Sequence, residues 1–195
     1  MSSFTEQLEY GLAGESIIAK WLMSRGWALL PAYEKEQGDF KGPRILSATG
    51  DLISPDMLAF RFGDEGGQVH WIEAKSKAAF TWYRIRGTYQ DGIDRRHWRH
   101  YLHVCKLAPW PVWLLFLHAP GHVAKDNPPD KTPPVGLFGN RVDRLAALID
   151  HESDNHGPSG MVYWNINSLR VIASWEELLA AEEVASSNTF EERRL

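Results

Sequence analysis

The chain has 195 residues, which is enough for one domain with a substantial hydrophobic core and short for two. Hydrophobic residues make up 44% and charged residues 24%, as in soluble globular proteins, and no apolar run is long enough to cross a membrane. The net charge of -4 argues against a protein that coats nucleic acid nonspecifically, although it allows a local basic face. A single cysteine and the absence of a signal or transit-peptide pattern favour a cytoplasmic protein.

The N-terminal part of the sequence predicts one helix and a strand hairpin. Apolar residues recur at helical spacing before Gly26, and later apolar runs are separated by residues that form turns. The predicted elements are a helix over 3–25, a strand over 27–33, a long loop over 34–55, a strand over 57–62, a turn over 63–67 and a strand over 69–77.

The C-terminal part predicts two further helices and three strands around a loop-rich segment. Asp94 is a plausible N-cap, and Ser174 with Glu177 fits a capping box. The predicted elements are a helix over 94–107, a doubly buried strand over 112–118, a Pro/Gly-rich insertion or lid over 119–160 with a short helix in RVDRLAALID, a closing pair of strands at 160–166 and 169–173, a helix over 174–184 and a flexible tail over 186–195. This order indicates a single α/β domain over 1–185, with a mixed central β-sheet flanked by helices.

Four charged residues stand out against these elements. Glu73 and Lys75 share one side of a strand, where charges are costly unless they pair or bind something. Asp56 follows Pro55 at the start of the preceding strand, so it is expected beside Glu73 if the two strands are neighbours. Glu15 lies on the apolar stripe of the first helix, and a carboxylate there needs a partner.

Together these residues predict three carboxylates and one lysine at a sheet edge. Oxygen ligands of this kind suit Mg²⁺ or Mn²⁺, which keep several waters and bind the phosphate oxygens of a substrate. The metal would activate a water, and Lys75 would position that water or stabilise the charge that develops on phosphorus. This is the chemistry of phosphodiester hydrolysis.

The pattern resembles the PD-(D/E)XK nuclease superfamily of restriction endonuclease-like folds over roughly residues 8–118. Pro55-Asp56, Glu73-Ala74-Lys75 and the helix GLAGESIIAKWLMSRGW carry the resemblance, and the Gly-Trp at the end of that helix is similar to Holliday junction resolvases and small phage and repair nucleases. The resemblance implies that Asp56 and Glu73 bind the metal, that Lys75 is catalytic and that Glu15 is an accessory carboxylate. It also implies a metal-dependent DNA endo- or exonuclease and leaves a homodimer open.

The segment 81–101 mixes arginines with aromatic rings and follows the strand of Glu73 and Lys75. Arginines bind phosphates and rings stack on unpaired bases, so the segment is expected to contact DNA. Gln90 resembles a glutamine of some superfamily members, but Asp94 stands where a tyrosine would follow it. The predicted DNA-binding residues are Arg84, Arg86, Arg95, Arg96, Arg99, Trp82, Tyr83 and Gln90.

Other interpretations remain open at this point. The Glu73–Lys75 pair alone would fit an ion pair on an exposed strand, and Asp51 is a rival to Asp56 as a ligand. A zinc site built from His97, His100 and His103 is disfavoured, because these residues diverge around the helix and no CxxC motif accompanies them. A catalytically silent nucleic-acid-binding or scaffold protein with the same fold, and a glycosidase with paired carboxylates, are the rival functions.

Overall fold

A computed structural model of the protein describes residues 4–32, 44–47, 50–63 and 66–191. Its helices are α1 (Phe4–Ser24), α2 (Arg95–Leu107), α3 (Val142–Leu145) and α4 (Trp175–Glu191), with a short 3₁₀ turn at Ile166–Ser168. Its strands are β1 (Ala28–Pro31), β2 (Arg44–Ile45), β3 (Leu52–Ile53), β4 (Met57–Gly63), β5 (Gly66–Lys77), β6 (Thr81–Tyr83), β7 (Thr88–Asp94), β8 (Val112–His118), β9 (Gly136–Arg141), β10 (His151–Ser153), β11 (Met161–Asn165) and β12 (Arg170–Ala173).

The central sheet has six strands in the order β1-β4-β5-β8-β9-β12. Strands β5 and β8 run parallel, and the other neighbours in this sheet are antiparallel. A second, antiparallel sheet has the order β10-β11-β7-β6, and β2 pairs with β3. The predicted α/β class with a mixed central sheet is therefore confirmed.

Two hydrophobic cores lie on opposite faces of the central sheet. On one face, Ile18 of α1 and Leu178 of α4 pack with β5 residues such as Ile72. On the other face, Trp98 of α2 and Trp164 of β11 belong to a core that also includes α3 and inward-facing residues of β8. Because side chains alternate along a strand, each residue of β5 is assigned to one face or the other.

The predicted helices and their caps agree with the structure. The Asp94 carboxylate accepts the Arg96 backbone N–H at 2.8 Å and begins α2. The capping box of α4 forms in both directions, with Ser174 N–H to Glu177 Oε2 at 2.9 Å and Glu177 N–H to Ser174 Oγ at 3.3 Å. The backbone of α4 continues to Glu191, so it extends into the segment predicted as a flexible tail.

Three predictions about connections need correction. The segment 119–160 is not only an insertion, because its strand β9 lies inside the central sheet between β8 and β12. The two closing strands, β11 and β12, form as predicted, but they belong to different sheets and do not pair with each other. The predicted loop 34–55 contains the β2–β3 pair in its described part, whereas 33–43, 48–49, 64–65 and 192–195 lie outside the described residues.

None of the described helices has the length and apolar composition needed to cross a bilayer.

The sequence of β9 looks like a loop, and the contact of Gly139 with β8 explains its composition. Its sequence, GLFGNR, contains two glycines and two polar residues, which are typical of a loop. A Cβ at Gly139 would lie 2.4 Å from the Leu114 carbonyl oxygen and 2.7 Å from the Leu115 side chain. The glycine is therefore required by close contact with β8.

We expect Gly139→Ala to lower the free energy of unfolding by about 1–3 kcal/mol, because the backbone of β8 must shift to accept the methyl group. Gly67→Ala is the matched control, since the nearest atom to its Cβ is 3.8 Å away in the Phe62 ring. Chemical denaturation of both variants measures the difference. Equal stability of the two variants would show that the Gly139 contact is not restrictive.

Candidate active site

The candidate site lies where β4 separates from β5. The last register pair of these strands is Met57 with Ile72, and from Glu73 onward β5 pairs with β8 alone. Asp56 occupies the opening, and its Oδ2 accepts the Ala74 backbone N–H at 2.8 Å. A side chain thus replaces the missing strand and brings the Asp56 carboxylate next to Glu73.

Glu73 is a buried carboxylate, with only 1% of its surface exposed. It forms an ion pair with Lys75, and the Tyr101 side chain of α2 is close enough to lower its pKa. Burial raises the pKa of Glu73 to about 7, and the charge of Asp56 adds to the rise against the opposing effects of Lys75 and Tyr101. The two carboxylates, of which Glu73 is fully buried and Asp56 half-buried, repel each other and favour a cation between them.

Lys75 connects the buried part of the site to solvent. Its side chain is 28% exposed. Desolvation lowers the pKa of Lys75, but the charges of Glu73, Asp56 and Glu15 outweigh it and raise the pKa above the ordinary value. Lys75 is therefore an ammonium ion at neutral pH, and it is surrounded by the three predicted carboxylates.

Glu15 reaches this region because α1 packs closely on β5. A Cβ at Gly14 would lie 2.4 Å from Ser76 Cβ, so the helix backbone touches the strand at that point. Glu15 follows directly in the sequence and is half-buried. Its negative charge contributes to the pKa of Lys75, which places it within electrostatic reach of the lysine.

The structure thus brings Asp56, Glu73, Lys75 and Glu15 into one neighbourhood, as the sequence predicts. Within the described residues, however, no three His, Cys, Asp or Glu side chains are grouped so that they enclose a metal ion as they stand. The role of each residue as a metal ligand or catalyst stays a prediction. Asp51, the rival to Asp56, is exposed and pairs with Arg44 at 3.4 Å.

Helix α2 adds two residues to the site that the sequence did not assign to it. Tyr101 lies close enough to lower the pKa of Glu73, and His97, one helical turn earlier, has its pKa lowered by burial and then by the charge of Lys75. The ring centroids of His97 and Tyr101 are 6.2 Å apart. Their i, i+4 spacing was a readable signal, but it does not indicate which strand the helix covers.

A buried polar cluster lies further along β5, at Lys77. His118 Nε2 and Asp91 Oδ2 are 2.8 Å apart, and both side chains are buried. Lys77 donates to the Gly92 carbonyl at 2.8 Å and lies 3.7 Å from Asp91 Oδ1. Lys77 shares a strand face with Lys75, which was visible in the sequence, whereas Asp91 and His118 come from β7 and β8.

The predicted DNA-binding residues fall into two groups. The exposed group consists of Arg84, Arg86, Arg96 and Arg99, of which Arg86 also pairs with Asp150 at 3.5 Å. The others are engaged in the fold, because Gln90 is buried and Trp82 packs edge-on against Tyr89. Tyr83 stacks on His151 with ring centroids 4.4 Å apart.

Arg95 is held by two acidic residues of the β10 region. Its guanidinium contacts Glu152 at 2.8 Å and Asp154 at 2.7 Å, and the side chain is 19% exposed. These contacts join α2 to the second sheet. Arg95 therefore has its charge compensated within the protein.

No protein-family model and no curated protein matches the chain. Among solved structures, D212, a nuclease from a fusselovirus, is similar at 13% sequence identity, with 93% of each chain covered and a TM-score of 0.41. A TM-score of this size is too low to support a functional conclusion, which therefore depends on the chemistry of the residues.

We expect the metal-free protein to become less stable as pH rises from 4.5 to about 7, because of Glu73. Its folded pKa is above its unfolded value, so in this window the native protein keeps a proton that the unfolded chain releases. Glu73→Gln removes this contribution. The stability of the wild type relative to this variant should fall by a few kcal/mol across the window, since one pKa unit corresponds to about 1.4 kcal/mol.

Thermal unfolding in the presence of a chelator, with both proteins followed across the same pH range, measures this difference. A stability difference that does not change with pH would mean that Glu73 has an ordinary pKa and is not desolvated.

Proposed function

We propose that the protein is a metal-dependent deoxyribonuclease that hydrolyses phosphodiester bonds at Asp56, Glu73 and Lys75. The observation that carries the proposal is the pair of carboxylates at the opening between β4 and β5, next to a lysine that is partly exposed. Glu73 alone would be explained by its ion pair. A second carboxylate within reach of the same buried group is not needed for that pairing, and a cation explains it.

The donor set fits Mg²⁺ or Mn²⁺. Magnesium is commonly bound by one or two carboxylates together with waters and substrate phosphate oxygens, so Asp56 and Glu73 suffice as protein ligands. When bound, the metal would supply a more acidic water and neutralise charge on the phosphate. Glu15 would act from the helix side as the accessory carboxylate.

Lys75 would stabilise the negative charge that develops on the phosphoryl oxygens. An ammonium is a compact charge suited to this role, and the surrounding carboxylates keep Lys75 protonated. Its partial exposure leaves the charge accessible to a substrate at the surface. Glu73 would position the ammonium through their ion pair.

DNA would be bound by exposed arginines of two segments. Arg84 and Arg86 lie in the turn between β6 and β7, and Arg96 and Arg99 lie on α2, the helix that supplies His97 and Tyr101. Such side chains supply phosphate contacts without reading sequence. DNA is the proposed partner because this region is arginine-rich, although the protein is acidic overall.

A catalytically silent DNA-binding protein is the second candidate. The observation in its favour is that the Glu73–Lys75 ion pair is complete without a metal. Such a protein would bind DNA through the same arginines. It differs from the first candidate in a single measurable property, cleavage.

We expect cleavage of plasmid, junction or single-stranded DNA with Mg²⁺ or Mn²⁺, and a loss of about a hundredfold or more in Asp56→Asn and Lys75→Ala. The reason is that each variant removes one charge from the site. Asp51→Asn is the matched control, because this exposed carboxylate precedes β4 but is paired with Arg44 away from Glu73. Gel assays with and without EDTA make the measurement.

Cleavage that persists in EDTA, or in Asp56→Asn, would contradict the metal-nuclease proposal. DNA binding by the wild type without cleavage in either metal would favour the silent candidate.

We also expect Arg84→Gln and Arg99→Gln to weaken DNA binding and to make it less sensitive to salt. Each lost phosphate contact should reduce the slope of log K against log salt by about 0.9 on duplex DNA. Arg144→Gln is the control, since this exposed arginine lies on α3. Arg95→Gln should instead lower thermal stability, because Glu152 and Asp154 lose their partner. Unchanged salt slopes for Arg84→Gln and Arg99→Gln would remove this surface from the DNA interface.

A further inference from the structure

An aromatic pocket lies on the opposite face of β5 from Glu73 and Lys75. Its volume is about 140 Å³, and its lining includes Trp21, Trp27, Trp113, His70, Ile72 and Leu115. His70 and Ile72 alternate along β5 with Trp71 and Glu73, so they point away from the candidate active site. The pocket is therefore separate from the proposed catalytic groups.

The pocket has the size and lining to receive a flat ring. An apolar protein cavity of about 150 Å³ accepts benzene, so 140 Å³ offers room for one aromatic ring. Three indoles and an imidazole supply faces for stacking, and the His70 and Trp27 ring centroids are 4.9 Å apart. A ligand with a single planar ring fits better than an extended chain.

Two of the tryptophans that line the pocket carry hydrogen-bond donors without acceptors. The indole N–H groups of Trp21 and Trp113 are buried and have no partner among the residues that the structure describes. Buried donors are normally satisfied, and leaving one unpaired costs free energy. Each indole nitrogen is shielded from solvent as the structure stands, so an indole must reorient before a carbonyl or nitrogen acceptor of a ring could satisfy it.

Positive charge surrounds the pocket. The Arg61 guanidinium lies 4.5 Å from the Trp27 ring centre, and that of Arg170 lies 6.0 Å from the Trp113 ring centre. Arg61 donates to Gln68 Oε1 at 3.1 Å, and within the described part of the chain neither arginine pairs with a carboxylate. Burial and then the charges of Arg61 and Arg141 lower the pKa of His70, which also reflects a positive surrounding.

The positive charge at the rim determines whether the aromatic pocket favours a cationic or an anionic ligand. An aromatic cage can bind an organic cation, but two uncompensated arginines at the rim would repel one. The same arginines attract an anion, and Arg stacked on an aromatic ring is a common arrangement at phosphates and bases. A planar ring with acceptor atoms and a negatively charged phosphate meets all of these conditions.

We propose that this pocket binds an unpaired nucleotide, with its base between the tryptophans and its phosphate at Arg61 and Arg170. The ligand is either a free nucleotide or one unit of a single strand. This site does not depend on the proposed nuclease activity, because it uses different residues on the other face of the sheet. In a nuclease it would favour substrates that present unpaired bases.

The test measures binding of the 195-residue chain to a fluorescent oligothymidylate in a chelator, so that cleavage plays no part. A strand of the same length without bases is the matched ligand control. We expect the wild type to bind oligothymidylate more tightly than the abasic strand, and Trp113→Leu to lose about tenfold for oligothymidylate alone. Trp110→Leu, an exposed tryptophan outside the pocket, should bind like the wild type.

A second measurement covers the case in which Trp113→Leu does not fold. Arg170→Gln changes an exposed residue and should weaken binding of both strands. In NMR spectra of the ¹⁵N-labelled wild type, the indole N–H signals of Trp21 and Trp113 should shift on addition of oligothymidylate. Thymidine monophosphate that shifts the same signals would identify a free nucleotide as a sufficient ligand. Base-dependent binding that the monophosphate does not reproduce would assign the site to a strand.

Equal affinity of the wild type for the two strands, or indole signals that stay in place while oligothymidylate binds, would overturn the proposal. Either result can occur whether or not the protein cleaves DNA. Failure of cleavage with base-dependent binding intact would leave the pocket assigned and remove only the nuclease activity.

Discussion

Glu73 is a carboxylate almost completely removed from water, and the arrangement around it follows from that fact. A buried charge is stable only when a partner compensates it, and here Lys75 does so. Breaking such a pair is costly, yet apolar residues at the same positions would fit a core equally well. The charges are therefore better explained by what they bind than by what they add to stability.

The separation of β4 from β5 gives this charge its access to a ligand. If β4 continued alongside β5, its backbone would bond to Ala74 and the neighbourhood of Glu73 would close. Instead, the Asp56 side chain takes that hydrogen bond. One strand end thus determines both the second carboxylate and the opening. The close packing of Gly14 on Ser76 adds Glu15 from the other layer.

Alternation along β5 gives the molecule two distinct surfaces from a single strand. Glu73 and Lys75 face α2 and the second sheet, while His70 and Ile72 face α1 and the tryptophan pocket. The charged residues of the candidate active site and the rings of the tryptophan pocket therefore lie on opposite faces of the sheet. The two proposals share a strand but no side chain.

Local signals in the sequence were sufficient for the helices, their caps and the alternation of β5. The capping residues Asp94 and Ser174 act within a few residues of themselves, so their roles can be predicted without the fold. Strand β9 was not predictable in the same way, because Gly139 reflects contact with β8, which is distant in sequence.

The same limit applies to the candidate site. The neighbourhood of Asp56 and Glu73 could be inferred from a hairpin, which is local. The placement of Tyr101 and His97 required knowing which face of the sheet α2 covers. The structural use of Arg95 required Glu152 and Asp154, from a segment that looked like a loop.

The most direct test of the carboxylate pair is a crystal structure of the protein with Mn²⁺, using anomalous scattering to locate the metal. We expect an anomalous peak within bonding distance of both Asp56 and Glu73, with Lys75 directed toward the solvent side of the ion. Crystals of Asp56→Asn that are prepared with Mn²⁺ in the same way should lack the peak. Mn²⁺ bound elsewhere, with the Glu73–Lys75 pair unchanged, would contradict the assignment of these residues as a metal site.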